Sequence, residues 1–327
     1  MRSTISLLLI ACSLTALGRP SAAADKATIN HRTGLFEPPA SDLRKAAERG
    51  DRAELSRAAT RLGPARLGRL LGDADRKLVL AALEAAPLLD AGVLLLDAMP
   101  ALLASPEATV RAQAVTSVAA MLAQSDPLRL SEYEVPAETL LASCRALASI
   151  AAQDGEQLGT RLAAMQGALE GGSTCVGQLR LDLLLTSHER DIRAAAVWVV
   201  PQAADARTLA LLSAATRDGE SRVAAAAAAR LCTWSSSAGG PGPIRPPNIA
   251  RPLHELVLAE GVLVEDQVDL LPCLAASSDP ADRKAMTELG ETARGPVREA
   301  IKRLRAARAG QTVAESGVIG STPSQQK

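Results

Sequence analysis

The chain has 327 residues, including 65 Ala and 49 Leu, but its aromatic residues are just Phe36, Tyr133, Trp198 and Trp234. This composition argues against a β-sandwich or a β-barrel, because strands favour β-branched and aromatic residues. The 36 basic and 36 acidic residues balance, so the charge gives no case for a nucleic-acid partner, which requires a basic surplus.

The first 24 residues have the pattern of a signal peptide. Arg2 supplies a positive charge, residues 5–17 are apolar, and small residues lead up to Ala24. This apolar run is shorter than the about 20 residues that span a bilayer. We therefore expect cleavage after Ala24 and export of the mature chain to the periplasm or to the outside of the cell.

An alternative for the N-terminus is lipidation. Residues 9–12, Leu-Ile-Ala-Cys, resemble a bacterial lipobox, in which Cys12 would be acylated. The apolar residues that follow Cys12 favour simple secretion, because a lipoprotein sequence turns polar at that point. Outer-membrane anchoring through Cys12 stays open as the alternative, and we expect membrane contact only in that case.

The mature chain contains a recurring helical pattern. In the clearest unit an apolar helix ends near Leu103, a Ser-Pro-Glu turn follows, and a second helix opens with Val110-Arg111 before Ala114. Similar helix openings recur at seven anchor residues: Leu78, Val110, Leu158, Ile192, Val223, Val268 and Val297. The anchors span 219 residues in six steps, so the mean step is about 36 residues, which is the length of a helix pair with its turns.

This pattern resembles HEAT repeats, the helix-pair units of α-solenoids. The resemblance covers residues 40–309 and implies an all-α fold, a right-handed α-solenoid of about seven HEAT-like helix pairs. Within it, the Ser-, Gly- and Pro-rich residues 234–248 are predicted to be an inserted loop. Residues 25–39 are expected to be extended, and residues 310–327 to be a disordered tail.

Four cysteines remain in the mature chain: Cys144, Cys175, Cys232 and Cys273. An even number in an exported protein indicates two disulfides. Metal binding is the other interpretation, but the four show no paired CxxC spacing. The order of the helical units places each sequential pair on neighbouring helices, which favours Cys144–Cys175 and Cys232–Cys273.

Arginines recur where the second helices open, and two interpretations apply to them. They could form an anion-binding row. The resemblance to HEAT repeats implies instead that they pair with acidic residues of the inter-helix turns, and we favour this structural role. The arginines are Arg111, Arg193, Arg222 and Arg298, and the expected partners are Glu107, Asp191 and Asp218.

A search for catalytic or cofactor motifs finds none in the mature sequence. His31, His188 and His254 are isolated, so we predict neither a catalytic site nor a metal site nor a bound cofactor. His188 has acidic neighbours and is the one histidine considered as a general base, but a solvated turn residue is the favoured interpretation. Carboxylate pairs such as Asp279 and Asp282 lie in turns, where acids are expected as helix caps.

Trp198 is the one candidate contact residue for a partner. It follows the anchor Ile192 by six positions, where other units have small or polar residues. An aromatic side chain in such a position is suited to anchor a partner. Packing between adjacent units is the alternative, and the surrounding valines favour it.

Together these features predict a non-enzymatic scaffold of the bacterial cell envelope that binds another protein. The prediction rests on what solenoids usually do. The second hypothesis is a lipoprotein, acylated at Cys12, that assists assembly of an envelope complex. An enzyme with an unrecognised site is the third.

Overall fold

The computed structural model describes residues 40–125, 127–200, 206–237 and 249–318. The predicted signal peptide, including Cys12, the segment 25–39 and residues 319–327 lie outside these ranges. Regular secondary structure in the described residues consists of helices, namely 17 α-helices and two 3₁₀ segments. The prediction of an all-α protein is confirmed.

The helices follow one another in short succession. In chain order they are α1 (Ala40–Arg49), α2 (Arg52–Leu70), α3 (Arg76–Ala85), α4 (Met99–Leu103), α5 (Ala108–Gln124), α6 (Pro127–Glu132), α7 (Ala137–Ala152), α8 (Leu158–Glu170), α9 (Gly172–Val176), α10 (Leu181–Leu185), α11 (Arg190–Val199), α12 (Ala206–Ala215), α13 (Ser221–Ser237), α14 (Leu253–Leu258), α15 (Val264–Ala276), α16 (Pro280–Thr292) and α17 (Gly295–Val318). The 3₁₀ segments Ala86–Leu88 and Gly92–Ala98 connect α3 to α4.

Eight of the helices form a series in which each one packs against the next. This first row consists of α1, α3, α5, α8, α11, α13, α15 and α17. The helices between them, α2, α4, α7, α10, α12, α14 and α16, each pack against the first-row helix that follows them in the chain. We call these seven helices the second row. The chain therefore alternates between two rows of helices.

The seven anchor residues predicted from sequence all lie near the starts of first-row helices, from α3 to α17. In α5 and α11 the anchor is the third helical residue and is buried, as Val110 and Ile192 show. In two other helices the register differs from the prediction. In α8 and α15 the third residues are Thr160 and Asp266, and these are buried instead of the half-buried Leu158 and Val268. The sequence pattern missed them because neither residue is apolar.

Local sequence signals explain several helix ends. The side chains of Asp51 and Asp75 cap α2 and α3 by accepting from the backbone N–H groups of Glu54 and Lys77, at 3.0 and 2.9 Å. Inside α2, Gly63 has a φ of +71°, which is strained for other residues, and it precedes Pro64, which lacks a backbone donor. The helix kinks at this point.

The core is built mainly from Ala and Leu, and α13 is the extreme case. Its six alanines, residues 224–229, are no more than 2% exposed, and α13 packs against α11, α12, α14 and α15. Ala has the highest helix propensity, and its small side chain lets neighbouring helices approach closely. An alanine run is therefore suited to a helix that is covered on all sides.

Both cysteine pairs lie at disulfide distance within this core. Cys144 of α7 and Cys175 of α9 have their Cα atoms 4.6 Å apart, and Cys232 of α13 and Cys273 of α15 have theirs 5.9 Å apart. These are the two sequential pairs that the order of the helical units predicts. Each bridge is expected to contribute about 2–4 kcal/mol to stability.

Two predicted boundaries differ in position from the helices. Helix α13 continues to Ser237, so the predicted loop 234–248 begins inside it, and residues 238–248 lie outside the described ranges. Helix α17 extends to Val318 and so includes the start of the segment 310–327 that was expected to be disordered. None of the helices in the described ranges is both long and apolar enough to cross a membrane.

Candidate functional site

Arginine–carboxylate pairs join successive units of the first row. Arg193 of α11 contacts Asp218, in the turn before α13, through two hydrogen bonds of 2.7 and 3.1 Å. Arg111 of α5 reaches Glu156, in the turn before α8, at 2.7 Å. Two further pairs connect a first-row helix with the turn before the next one, Arg44 with Asp75 at 3.2 Å and Arg76 with Glu107 at 2.8 Å.

The two best shielded of these pairs shift the pKa of one of their members. The hydrogen bonds that Arg193 donates to Asp218 raise the pKa of Arg193 above its ordinary value. Burial acts to raise the pKa of Glu156, but the hydrogen bonds from Arg111 and from the Gln157 backbone outweigh it and leave that pKa lowered. Both shifts have the direction expected when the ionised form of the group is stabilised by its partner in the neighbouring unit.

In four first-row helices, the side chain of the fourth residue also donates hydrogen bonds to backbone carbonyl groups of its own unit. Arg111 donates to the carbonyl oxygens of Ser105 and Pro106, and Arg193 to those of Ser187 and His188, at 2.8–3.1 Å. The equivalent residues of α8 and α15 act in the same way: Arg161 donates to Ala151 O and Gln267 to Val257 O, both at 3.0 Å. These contacts satisfy carbonyl groups at or just after the end of the preceding helix.

The arginines that sequence suggested as an anion-binding row are thus mostly engaged within the protein. Arg193 pairs with Asp218 and Arg222 with Asp191, which were among the expected partners. Arg111 pairs with Glu156 instead of Glu107. Arg298 is exposed at the start of α17. Sequence reasoning missed Arg161, Gln267 and Glu156, although the spacing from the helix start would have found the first two.

His254, Asp279 and Asp282 form a cluster of metal-ligand types, with one ligand atom of each within 4.8 Å of the others. Asp282 is fully buried, and its Oδ1 accepts from both the backbone N–H and the Nδ1 of His254, each at 2.9 Å. Asp279 accepts from the backbone of Ala281 at 2.9 Å. Asp279 therefore caps its own helix α16, as the sequence suggested. Asp282 lies inside α16, not in a turn, and caps the neighbouring helix α14. These two roles account for the cluster.

The ionisation of Asp282 fits its capping role. Burial acts to raise the pKa of this carboxyl group, but hydrogen bonds from Ser277 and His254 outweigh it and hold the pKa below its ordinary value. Sequence reasoning treated His254 as isolated, because its partner lies 28 residues further along the chain.

A second buried acidic group lies between α13 and α15. Asp266 is fully buried, and neither of its carboxylate oxygens has a hydrogen-bond partner among the described residues. Burial, with the negative charge of Asp269, raises the pKa of Asp266 to about 7, although Arg222 acts against the shift. Burial likewise raises the pKa of Asp269 and lowers that of Arg230, and the opposite charge of each group acts against the shift of the other.

The residues that the sequence suggested for partner binding and for general base catalysis are Trp198 and His188. Trp198 is half-buried near the end of α11. It is the ninth residue of its helix. The ninth residues of α5, α8 and α17 (Thr116, Gln166 and Arg303) are exposed, whereas that of α13, Ala229, is buried. His188 is exposed, and its carbonyl group accepts from Arg193, while Asp191 pairs with Arg222. The structure does not bring His188 together with Asp191 as an acid–base site, and His31 lies outside the described residues.

A small cavity of about 250 Å³ lies between α15, α16 and α17. Its lining combines the apolar residues Leu274, Met286 and Leu304 with Arg283 and Arg305. Both arginines are exposed. The cavity is smaller than the about 300–1,000 Å³ of small-molecule sites.

Comparison with known protein families finds no family model that matches this chain. Comparison with curated proteins likewise finds no match. The functional conclusion therefore depends on the chain itself.

Proposed function

We propose that this protein is a non-enzymatic scaffold: a right-handed α-solenoid of about seven HEAT-like helix pairs that binds another protein in the bacterial cell envelope. The observation that carries this proposal is the order of helix packing, in which each first-row helix contacts the next one along the chain. Packing between neighbouring repeats is the defining feature of solenoid proteins.

The repeated polar contacts support the same proposal. Four arginine–carboxylate pairs connect a first-row helix with the turn that leads into the next one. Such a repeated connection is expected when each unit has the same neighbours as the unit before it. A domain built around a single closed core has no reason to repeat one contact between four successive pairs of helices.

The proposed binding surface is the accessible side of the first row. It includes the ninth residues of α5, α8, α11 and α17, which are Thr116, Gln166, Trp198 and Arg303. From α3 to α17, each first-row helix is the second helix of its HEAT-like pair, and we place the concave binding side there. Trp198 is the aromatic residue of this set, and aromatic residues dominate the energetics of many interfaces.

Export rests on the predicted signal peptide and is supported by the two disulfides, because disulfides persist in oxidising compartments. Mass spectrometry of the mature N-terminus distinguishes the two routes. Simple secretion predicts an unmodified chain that begins at Asp25, whereas the lipoprotein alternative predicts a diacylated Cys12.

Affinity capture of the mature protein from its own envelope fraction tests the binding proposal. We expect a specific protein to co-purify with the native chain and to be lost or reduced at least about tenfold with the Trp198→Ala variant. A Thr60→Ala variant, on exposed second-row residue Thr60 of α2, is the control and should retain the partner. Equal recovery with both variants would assign Trp198 to packing, and the absence of any partner across several conditions would contradict the scaffold proposal.

A further inference from the structure

Asp266 occupies a position that is apolar in most other units. The third residues of α5, α11, α13 and α17 are Val110, Ile192, Val223 and Val297, and all of them are buried. Asp266 has the same place in α15 and is 0% exposed. A buried carboxylate without hydrogen-bond partners is unfavourable when it is ionised. The protonated form of Asp266 is therefore the one that suits this position.

The charged groups that act on Asp266 lie on α13 and on α15 itself. Arg222 of α13 attracts the Asp266 carboxylate, while Glu265 and Asp269 of its own helix repel it. Arg230 of α13 attracts the Asp269 carboxylate electrostatically and donates a hydrogen bond of 2.6 Å to the carbonyl oxygen of Val200.

On the other helices that pack against α15, His254 of α14 and Asp282 of α16 pair with each other. The remaining charged side chains that the structure describes on α14, α16 and α17 are exposed. Arg222 is thus the cation best placed to respond when Asp266 loses its proton.

Arg222 is held by a different acid in the structure. Its Nη1 lies 3.2 Å from Asp191 Oδ1, which belongs to α11, while its Nε is buried and has no hydrogen-bond partner among the described residues. The guanidinium group therefore has an unused donor in a buried environment. Asp191 and Asp266 are therefore two carboxylates, on two different neighbours of α13, that both attract this one cation.

We propose that the contact between the starts of α13 and α15 is a pH-responsive joint, in which ionised Asp266 draws Arg222 away from Asp191. At low pH, protonated Asp266 packs like the apolar residues of the other units, and Arg222 stays with Asp191. At higher pH the unpaired carboxylate gains Arg222 at the expense of the contact between α11 and α13.

The disulfide between Cys232 and Cys273 determines where this joint can move. Cys273 lies seven residues after Asp266 in α15, about 10 Å further along the helix. The bridge fixes the later parts of α13 and α15 to each other. The first turns of the two helices, which carry Arg222 and Asp266, are therefore the parts free to separate or to shift.

The ionisation of Asp266 places the transition near neutral pH. Burial raises its pKa to about 7 from an ordinary value of 3.8. Since the folded state holds the proton more tightly than the unfolded chain, this group favours folding most strongly at low pH. The stabilisation of the fold by this group decreases as the pH rises from about 4 to about 7. Above that pH the group makes no further change to the free energy of unfolding.

The titration of Asp266 can be followed directly in the full mature protein through the carboxyl carbon shifts of ¹³C-labelled aspartate. The Asp266→Asn variant identifies its resonance. We expect a midpoint near pH 7 in the native chain. Asp191→Asn frees Arg222 to pair with Asp266 and should lower that midpoint by about one unit or more, whereas Arg222→Gln should raise it.

Hydrogen exchange tests the joint itself. After correction for the intrinsic pH dependence of exchange, amides in the first turns of α13 and α15 should exchange faster at pH 8 than at pH 5 in the native chain. The Asp266→Asn variant should not show this change, and Glu260→Gln, on an exposed residue of the α14–α15 connection, should behave like the native chain.

Two results would overturn the proposal. One is a midpoint for Asp266 near 4, which would show that the carboxylate is not held protonated. The other is an Asp191→Asn variant whose Asp266 titrates as in the native chain, since competition for Arg222 would then be absent. Because neither measurement involves a partner, the proposed joint and the proposed scaffold function can fail independently.

Discussion

At the scale of single residues, the polar side chains of this protein serve mainly to connect helices. Arg193 makes four hydrogen bonds, two to Asp218 and two to carbonyl groups of the preceding turn. The side chains of Arg193 and Asp218 are only 16% and 13% exposed. A pair so well shielded from solvent is costly to break from one side, because the remaining charge is left without its partner.

We therefore predict that Arg193→Gln lowers the free energy of unfolding by about 3 kcal/mol. The control is Arg207→Gln, since Arg207 is 76% exposed and lies 4.0 Å from Asp182, and its loss should change stability by less than about 1 kcal/mol. Urea denaturation of both variants measures the difference. Equal stabilities would contradict the structural role assigned to Arg193.

Asp282 permits a second prediction at this scale. Its pKa is lowered in the folded state by Ser277 and His254, against the effect of burial, so the ionised group stabilises the fold above its ordinary pKa of 3.8. This contribution is lost as the pH falls through the lowered pKa. Asp282→Asn should cost about 2 kcal/mol at pH 7, and the difference from the native chain should shrink in strong acid.

The matched control for Asp282 lies on the helix that it caps. Glu255 of α14 is 52% exposed, so Glu255→Gln should leave the pH dependence of stability unchanged. Thermal unfolding of the native chain and both variants between pH 2.5 and pH 7 separates the two cases. A constant difference for Asp282→Asn over this range would exclude a charged cap.

At the scale of helices, close approach depends on small residues. Gly167 of α8 faces Ala119 of α5 and Leu147 of α7, and a Cβ atom at this glycine would lie 3.1 Å from the Ala119 Cβ. Helix α8 packs against both α5 and α7. A side chain larger than Ala at this position must push the helices apart.

Gly167→Leu should accordingly destabilise the protein by about 1–3 kcal/mol or more. Gly159→Leu in the first turn of the same helix is the control, because no atom lies within 4 Å of a Cβ at that position. The ratio of the two effects, read from urea midpoints, reports how closely α5 and α8 pack. Tolerance of leucine at both positions would show that the helices are further apart than described.

The helices themselves were largely predictable, and their polar contacts were not. A recurring apolar residue, arginine and alanine indicated the starts of first-row helices because these residues follow helical periodicity. Glu156, His254 and Asp266 have partners or neighbours 28 to 45 residues away in the chain. Contacts at such separations depend on tertiary packing, which no local pattern encodes. Asp266 was missed for the further reason that it replaces an apolar residue.

At the scale of the whole molecule, the central claim is that exposed residues on first-row helices of different units bind one protein partner. Residues exposed on first-row helices of different units, such as Thr116 and Gln166, should then contact the same partner. Residues exposed on the second row, such as Arg61 of α2 and Ser149 of α7, should not.

Site-specific photo-crosslinking in the intact cell tests this claim most directly. A photoreactive amino acid is placed in turn at each of these four positions in otherwise native protein. The scaffold proposal predicts that Thr116 and Gln166 crosslink to the same protein and that Arg61 and Ser149 do not. Crosslinks to a partner from the second row alone, or from none of the four positions, would contradict it.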